Sequence, residues 1–228
     1  MEFRRFEPSI FQFLEQLADN NNRAWFEENR WRYEEEVREP CLAFIRAFRP
    51  RLERISPFFE ASDRRSGGSL IRIYRDVRFA RDKRPYKTNV GIQFRHQWGR
   101  DIHSPGFYVH IEPGDCFLAV GVWRPDRDSL GQIRQALMEN PRRWRRVVNA
   151  SLFRRHFQLA GHRLKRPPRG VPPDHPLVED LKRTDFLGLQ TLEEQDVLDP
   201  SYLDHVTAAF TAARSFMRLL CDAVRMPF

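Results

Sequence analysis

The sequence has 228 residues, of which 41% are hydrophobic and 13% aromatic, which excludes a disordered chain because enough apolar surface is available to offset the entropy of ordering. Lys and Arg outnumber Asp and Glu 39 to 31, a net charge of +8 that favours anionic partners, although Arg-rich usage from a GC-rich coding bias gives the same balance with no binding role. No apolar run approaches the ~20 residues that cross a bilayer, Met1 to Pro8 lacks the apolar stretch of a secretion signal, and no Gly/Ser-rich linker divides the chain, so a soluble cytoplasmic protein with no membrane partner, folded as one domain over residues 1–228, is expected.

Ile10, Phe11, Leu14, Leu17 and Ala18 recur at helical spacing and predict a short amphipathic helix, which Asn20-Asn21-Asn22 ends while capping the next. From Trp25 to about Leu52 the set Phe26, Tyr33, Val37, Cys41, Ile45, Phe48 and Leu52 keeps that spacing, with Pro40 either kinking the segment or starting a second helix. The period then shortens. Leu70 to Arg75, Val90 to Gln97, Phe107 to Glu112 and Cys116 to Trp123 read as strands, the last two joined by a tight turn at Pro113-Gly114. Leu130, Ile133 and Leu137 mark a returning helix, and Pro141 opens another that carries Trp144, Val147 and Val148. Five prolines between Pro167 and Pro176 impose an extended crossing, and Tyr202 to Val224 closes the chain as a helix.

This order predicts an α+β fold with a mainly antiparallel sheet of about four or more strands in the middle of the chain, packed by N- and C-terminal helices. Strand alternation directs Ile71, Ile73, Ile92, Phe94, Phe107, Val109 and Ile111 towards the helices. It places Arg72, Tyr74, Gln93, Arg95, Tyr108, His110 and Glu112 together on the opposite, polar face. Cys41, Cys116 and Cys221 are odd in number and far apart, so neither a disulfide framework nor a zinc knuckle is indicated, and all three read as small buried hydrophobes.

The stretch Arg72 to Lys87 carries seven Lys and Arg against two Asp. Arg72, Arg75 and Arg78 recur every third residue, followed by Lys83, Tyr86 and Lys87, a donor-rich set suited to phosphate or carboxylate oxygens. The same residues fit R-x-x-R-D-x-R-F-x-x-D-K-x-x-Y, which resembles the signature of a bacterial family of uncharacterised proteins, the domain of unknown function numbered 2461. Asn20 to Phe26, Phe107 to Gly114 and Lys165 to Gly170 also resemble landmarks of that family, so the resemblance spans nearly the whole chain. It implies no established activity.

Three readings of the cluster stand side by side: a clamp for a phosphorylated ligand, a loop held by its own ion pairs to Asp76 and Asp82, and surface charge of compositional origin. Phe79 is expected to be buried and Tyr86 at least partly so, anchoring the loop, while an oxyanion is expected within reach of Arg75, Arg78 or Lys83. Ser66-Gly67-Gly68-Ser69 beside Arg64 and Arg65 reads either as a small anion nest or simply as a turn, and Lys165 to Arg169 forms a second basic patch.

His110 and Glu112, two apart on one strand, place an imidazole beside a carboxylate, an arrangement that serves proton transfer or merely a structural hydrogen bond. His96, His103 and His110 match no zinc-ligand spacing, and no metal or cofactor is indicated. The leading function is therefore binding of an anionic ligand, either a phosphorylated small molecule or weakly held nucleic acid, through Arg72, Tyr74, Arg75, Arg78, Lys83, Tyr86, Lys87, Arg95 and Tyr108. The alternatives are an enzyme using Arg-stabilised charge with His110, Glu112 or Asp76 moving a proton, and a structural or protein-interaction module. Convergence of Asp76, His110 and Glu112 in one pocket is what separates the enzyme from the binder.

Overall fold

A computed structural model describes residues 2–99 and 103–228. Helix α1 (Ser9–Asp19) buries Ile10, Phe11, Phe13, Leu14 and Leu17 on one side, as its periodicity requires. Asn22 then caps α2 (Arg23–Glu28) by accepting a hydrogen bond from Trp25 N at 3.0 Å. One further turn, α3 (Arg30–Arg32), leads into a π-helical turn at Tyr33–Arg38 and on into α4 (Glu39–Ile55). Pro40 lies just after the π turn, inside a run that stays helical from Arg30 to Ile55, where the wider turn accommodates its missing N–H.

Six strands form an antiparallel sheet in the order β1-β2-β3-β4-β6-β5. They are β1 (Phe59–Glu60), β2 (Val90–His96), β3 (Gly106–Ile111), β4 (Cys116–Val122), β5 (Gln158–Ala160) and β6 (Phe186–Leu192). Between β4 and β5 run α5 (Arg127–Glu139), α6 (Pro141–Val148) and α7 (Ser151–His156); α8 (Val178–Leu181) precedes β6, and α9 (Glu194–Leu198), α10 (Tyr202–Ala212) and α11 (Arg214–Ala223) follow it. Ile92, Phe94, Phe107, Val109, Leu118 and Val120 are fully buried on the helix side of the sheet. There Phe94 meets Phe48 of α4 at 4.8 Å and Phe107 meets Phe210 of α10 at 4.9 Å. Each such side chain contributes about 1.5–3 kcal/mol by leaving water, so helices from both ends of the chain are held on the sheet by the aromatic content that composition reveals.

The expected α+β architecture is the observed one, with several differences. Leu70 to Arg75 is not a strand of the sheet: Leu70 makes an isolated bridge with Ile92, and Tyr74 makes another with Tyr86. The chain turns away from β2 there because Arg75 N donates to Pro85 O and Lys87 N to Ile73 O, both at 2.8 Å, closing a loop on itself. Ile71 consequently lies on the face that carries Tyr108, its Cδ1 3.1 Å from where a Cβ on Gly91 would stand, and not among the helices. Strands β1, β5 and β6 lie outside the segments that the sequence predicts as strands, and the closing helix breaks at Ala213 into α10 and α11. Phe79, expected in the core, is 95% exposed, because the loop is held from within by polar contacts and leaves no apolar wall against which to bury a ring.

Cys41, Cys116 and Cys221 are buried free thiols, and burial pushes Cys116 up to about 11 and Cys221 up to about 12. No helix among the described residues is long and apolar enough to cross a membrane.

Candidate functional site

The arginine-rich loop is anchored by Tyr86, which is 3% exposed and stacks on the Phe26 ring of α2 at 4.1 Å. Its backbone is gripped in both directions by Asn21, whose Nδ2 donates to Tyr86 O and whose Oδ1 accepts from Tyr86 N, each at 3.1 Å. Within the loop, Arg75 Nη1 donates to Asp82 Oδ2 at 2.7 Å, and Arg84 donates to the same carboxylate. Arg78 forms a fork onto Asp76 at 2.9 and 2.6 Å. Lys83 Nζ donates to Val77 O at 3.0 Å and Lys87 Nζ to Arg72 O at 2.7 Å. The Arg78 hydrogen bond holds Asp76 down to about 2, and hydrogen bonds from Arg84 and then Arg75 hold Asp82 well below the usual carboxylate range. Burial, and after it the charge of Arg72, lowers Lys87. Most of the cations in this segment thus hold the loop together.

A different group of arginines surrounds a cleft of about 330 Å³ between the α2–α4 region and the chain leading to Tyr74. Arg30, Arg38, Arg64, Arg65 and Arg72 line it, with Glu34 as the acidic member of the lining, and Tyr33 and Tyr74 supply aromatic walls. Arg38 Nη1 reaches Glu34 Oε2 at 2.6 Å, and Arg65 approaches the same oxygen at 3.9 Å. Arg30 is raised by its hydrogen bond to Glu27 and then by the nearby Tyr74 phenol. Arg64 and Arg72 make no ion pair among the described residues. The wide turn at Tyr33–Arg38 contributes Tyr33, Glu34 and Arg38 to this lining, in keeping with the frequent placement of π turns at functional sites. Gly68 permits the close approach of the backbone preceding the cleft, since a Cβ there would stand 2.4 Å from Arg64 O and 2.8 Å from Ser62 O. Tyr33 is pushed up by burial and stays a neutral donor, whereas Tyr74 is 43% exposed at the cleft.

The third arrangement lies on the sheet. Register sets Gly91 opposite His110 and Gln93 opposite Tyr108 on β2 and β3, and Phe117 of β4 opposite His110. Tyr108 Oη and His110 Nδ1 are 3.1 Å apart, His110 Nε2 and Glu112 Oε2 are 3.1 Å apart, and Thr88 Oγ1 donates to Glu112 Oε1 at 2.7 Å. The imidazole stacks on Phe117 at 4.5 Å. Burial, then the Glu112 charge, pushes Tyr108 up to about 12. A Cβ at Gly91 would stand 2.7 Å from Tyr108 Oη, so a larger residue there would displace the phenol tip.

The structure therefore divides the sequence-predicted residues into three groups. Tyr108, His110 and Glu112 form one network; Arg72 and Tyr74 line the cleft; Arg75, Arg78, Lys83 and Lys87 are engaged inside the loop, with Tyr86 as its anchor. Asp76 belongs to the loop and does not join His110 and Glu112, while Arg95 donates to Gly67 O at 2.9 Å. His96 is buried beside the C-terminal segment, its Nε2 2.8 Å from Pro227 O, and His103 stacks on Trp123, so neither meets His110. Arg30, Arg38 and Tyr33 belong to a segment whose helical periodicity draws attention to its apolar face; the signal for the cleft is the cationic and aromatic face opposite.

Residues 9–219 match the family model described as "Conserved hypothetical protein (DUF2461)". No curated protein and no solved structure matches the chain.

Proposed function

The chain belongs to this DUF2461 family of unknown function, and from that premise we propose that it binds a phosphorylated small molecule in the arginine-lined cleft. The observation that carries the reading is the charge of the lining: of its five arginines, Arg30 pairs with Glu27 and Arg38 and Arg65 approach Glu34, while Arg64 and Arg72 make no ion pair among the described residues. Guanidinium forks recognise phosphate oxygens in pairs, and Tyr74 offers a ring for a planar group to stack on. A volume of about 330 Å³ suits a small ligand. The separation of Asp76 from His110 and Glu112 favours binding over proton-transfer chemistry with those three groups.

Titration calorimetry with inorganic phosphate, pyrophosphate and nucleoside monophosphates tests the reading. Binding of at least one of these is expected, weakened about tenfold in Arg72→Ala and again in Arg64→Ala, as loss of a charge-assisted hydrogen bond implies. Binding equal in both variants and the wild type, or no binding of any oxyanion, overturns it. Random oligonucleotides should bind weakly, with affinity falling steeply as salt rises.

A further inference from the structure

We propose that His110 Nε2, a carboxylate oxygen of Glu112 and the Asp115 carboxylate form a binding site for a divalent first-row transition cation at the turn between β3 and β4. These three groups each offer a ligand atom, all within 4.8 Å of one another. Ligand atoms held about 2.1 Å from a common ion lie roughly 3.0–4.2 Å apart. The 3.1 Å separation of His110 Nε2 and Glu112 Oε2 already meets that requirement, and Asp115, exposed on the turn, has the rotamer freedom to close the rest.

The surroundings are those of a prepared site. Asp115 N donates to Glu112 O at 3.0 Å, and Gly114, at φ +74°, donates its N–H to Glu194 Oε1 at 2.9 Å, which ties the turn to α9. The imidazole is clamped between its Phe117 stack and Tyr108, and Thr88 fixes the other oxygen of Glu112. Metal-bound histidine characteristically holds its second nitrogen in such a bond, which sets the tautomer: with Nε2 on the ion, Nδ1–H donates to the neutral Tyr108 oxygen. Charge adds an independent argument. In a chain of net charge +8, Glu112 and Asp115 make no ion pair with any Lys or Arg among the described residues. A cation adds a countercharge for both carboxylates beyond the Thr88 and His110 contacts of Glu112.

One imidazole with two carboxylates is a mixed nitrogen and oxygen set, which suits Zn²⁺ or Mn²⁺ better than Mg²⁺. Three protein ligands leave coordination positions open to water. The site shares no residue with the arginine-lined cleft, so the two readings stand or fall separately.

The test is calorimetry on full-length protein stripped with EDTA, titrated with Zn²⁺, Mn²⁺ and Mg²⁺. One equivalent of Zn²⁺ or Mn²⁺ is expected. Asp115→Asn, an exposed change that leaves the fold intact, should weaken binding at least tenfold; His110→Gln should abolish it; and Thr88→Val should weaken it about tenfold, the usual effect of losing an outer-shell partner. Mn²⁺ should also broaden the imidazole resonances of His110 in preference to those of His162 and His175. Absence of a saturable single site for both ions, affinity unchanged in Asp115→Asn, or Mg²⁺ bound as tightly as Zn²⁺ overturns the proposal.

Discussion

The loop from Arg75 to Arg84 and the cleft around Arg72 are both rich in arginine, yet they differ in what their charges face. In the loop, Asp76 and Asp82 sit two to seven residues from their guanidinium partners, and the Lys83 ammonium donates to Val77 O. In the cleft, arginines from three separate stretches line one space; Arg38 and Arg65 approach Glu34, and Arg64 and Arg72 make no ion pair among the described residues. Local charge density along a chain therefore measures how a segment is built, while charge available to a ligand depends on which distant segments meet. The densest run of cations here is the more self-contained of the two.

The sharpest way to break this contrast is at its shared support. Phe26, 1% exposed, underlies the Tyr86 anchor and also lines the cleft. Phe26→Ala should cost about 3–5 kcal/mol in urea unfolding and should weaken oxyanion binding as well. An effect on stability with none on binding would separate the cleft from the loop's foundation.

Next in size is the division of labour between Arg72 and Arg75. Arg72→Ala should lower phosphate affinity about tenfold with little change in stability. Arg75→Ala should do the reverse, costing roughly 1 kcal/mol or less because its partly exposed ion pair with Asp82 is screened by solvent. If Arg75→Ala proves the more damaging to affinity, the loop is the binding element after all.

Acid should also act on the loop. Asp76 is held from its ordinary 3.8 down to about 2, so it binds fewer protons folded than unfolded at intermediate pH. Its contribution is complete above 3.8 and is lost as pH falls from there through about 2. Hydrogen exchange at the Arg78 amide, which donates to Asp76, should accelerate relative to its intrinsic rate across that window. Uniform protection would show that the fork does not order the loop. The smallest effect belongs to Phe79→Ala, expected to leave stability within about 0.5 kcal/mol because the ring is 95% exposed.

Much of the architecture was legible from periodicity. The helical repeat in α1 and the Pro113-Gly114 hairpin follow from local rules, and the structure reproduces both. Strand β6 escaped because Phe186-Leu-Gly-Leu-Gln-Thr-Leu192 has half-buried residues on both faces and an interior Gly188 packed against Phe153 and Val120, so neither alternation nor helical spacing stands out. In the site, the two-residue step from His110 to Glu112 was readable on one strand. Thr88, which completes their network, is 24 residues away from Glu112 and carries no local signal. Nor does sequence reveal that Arg64 and Arg72 flank the face of the π turn, since that depends on the loop closing back through Tyr74 and Tyr86. Phe79 misled because aromatic residues are usually buried, and only the inward pairing of its neighbours shows why this one is not.

The three cysteines give the molecule a built-in stopwatch. Only the thiolate is alkylated, and burial keeps Cys41, Cys116 and Cys221 protonated and out of reach in α4, β4 and α11. A thiol reagent added in pulses, with each peptide then weighed by mass spectrometry, would time the opening of the amino-terminal helix layer, the sheet centre and the carboxy-terminal helix independently. Equal labelling rates would mean that the three layers come apart together; a faster Cys221 would identify the last helix as the first to lift.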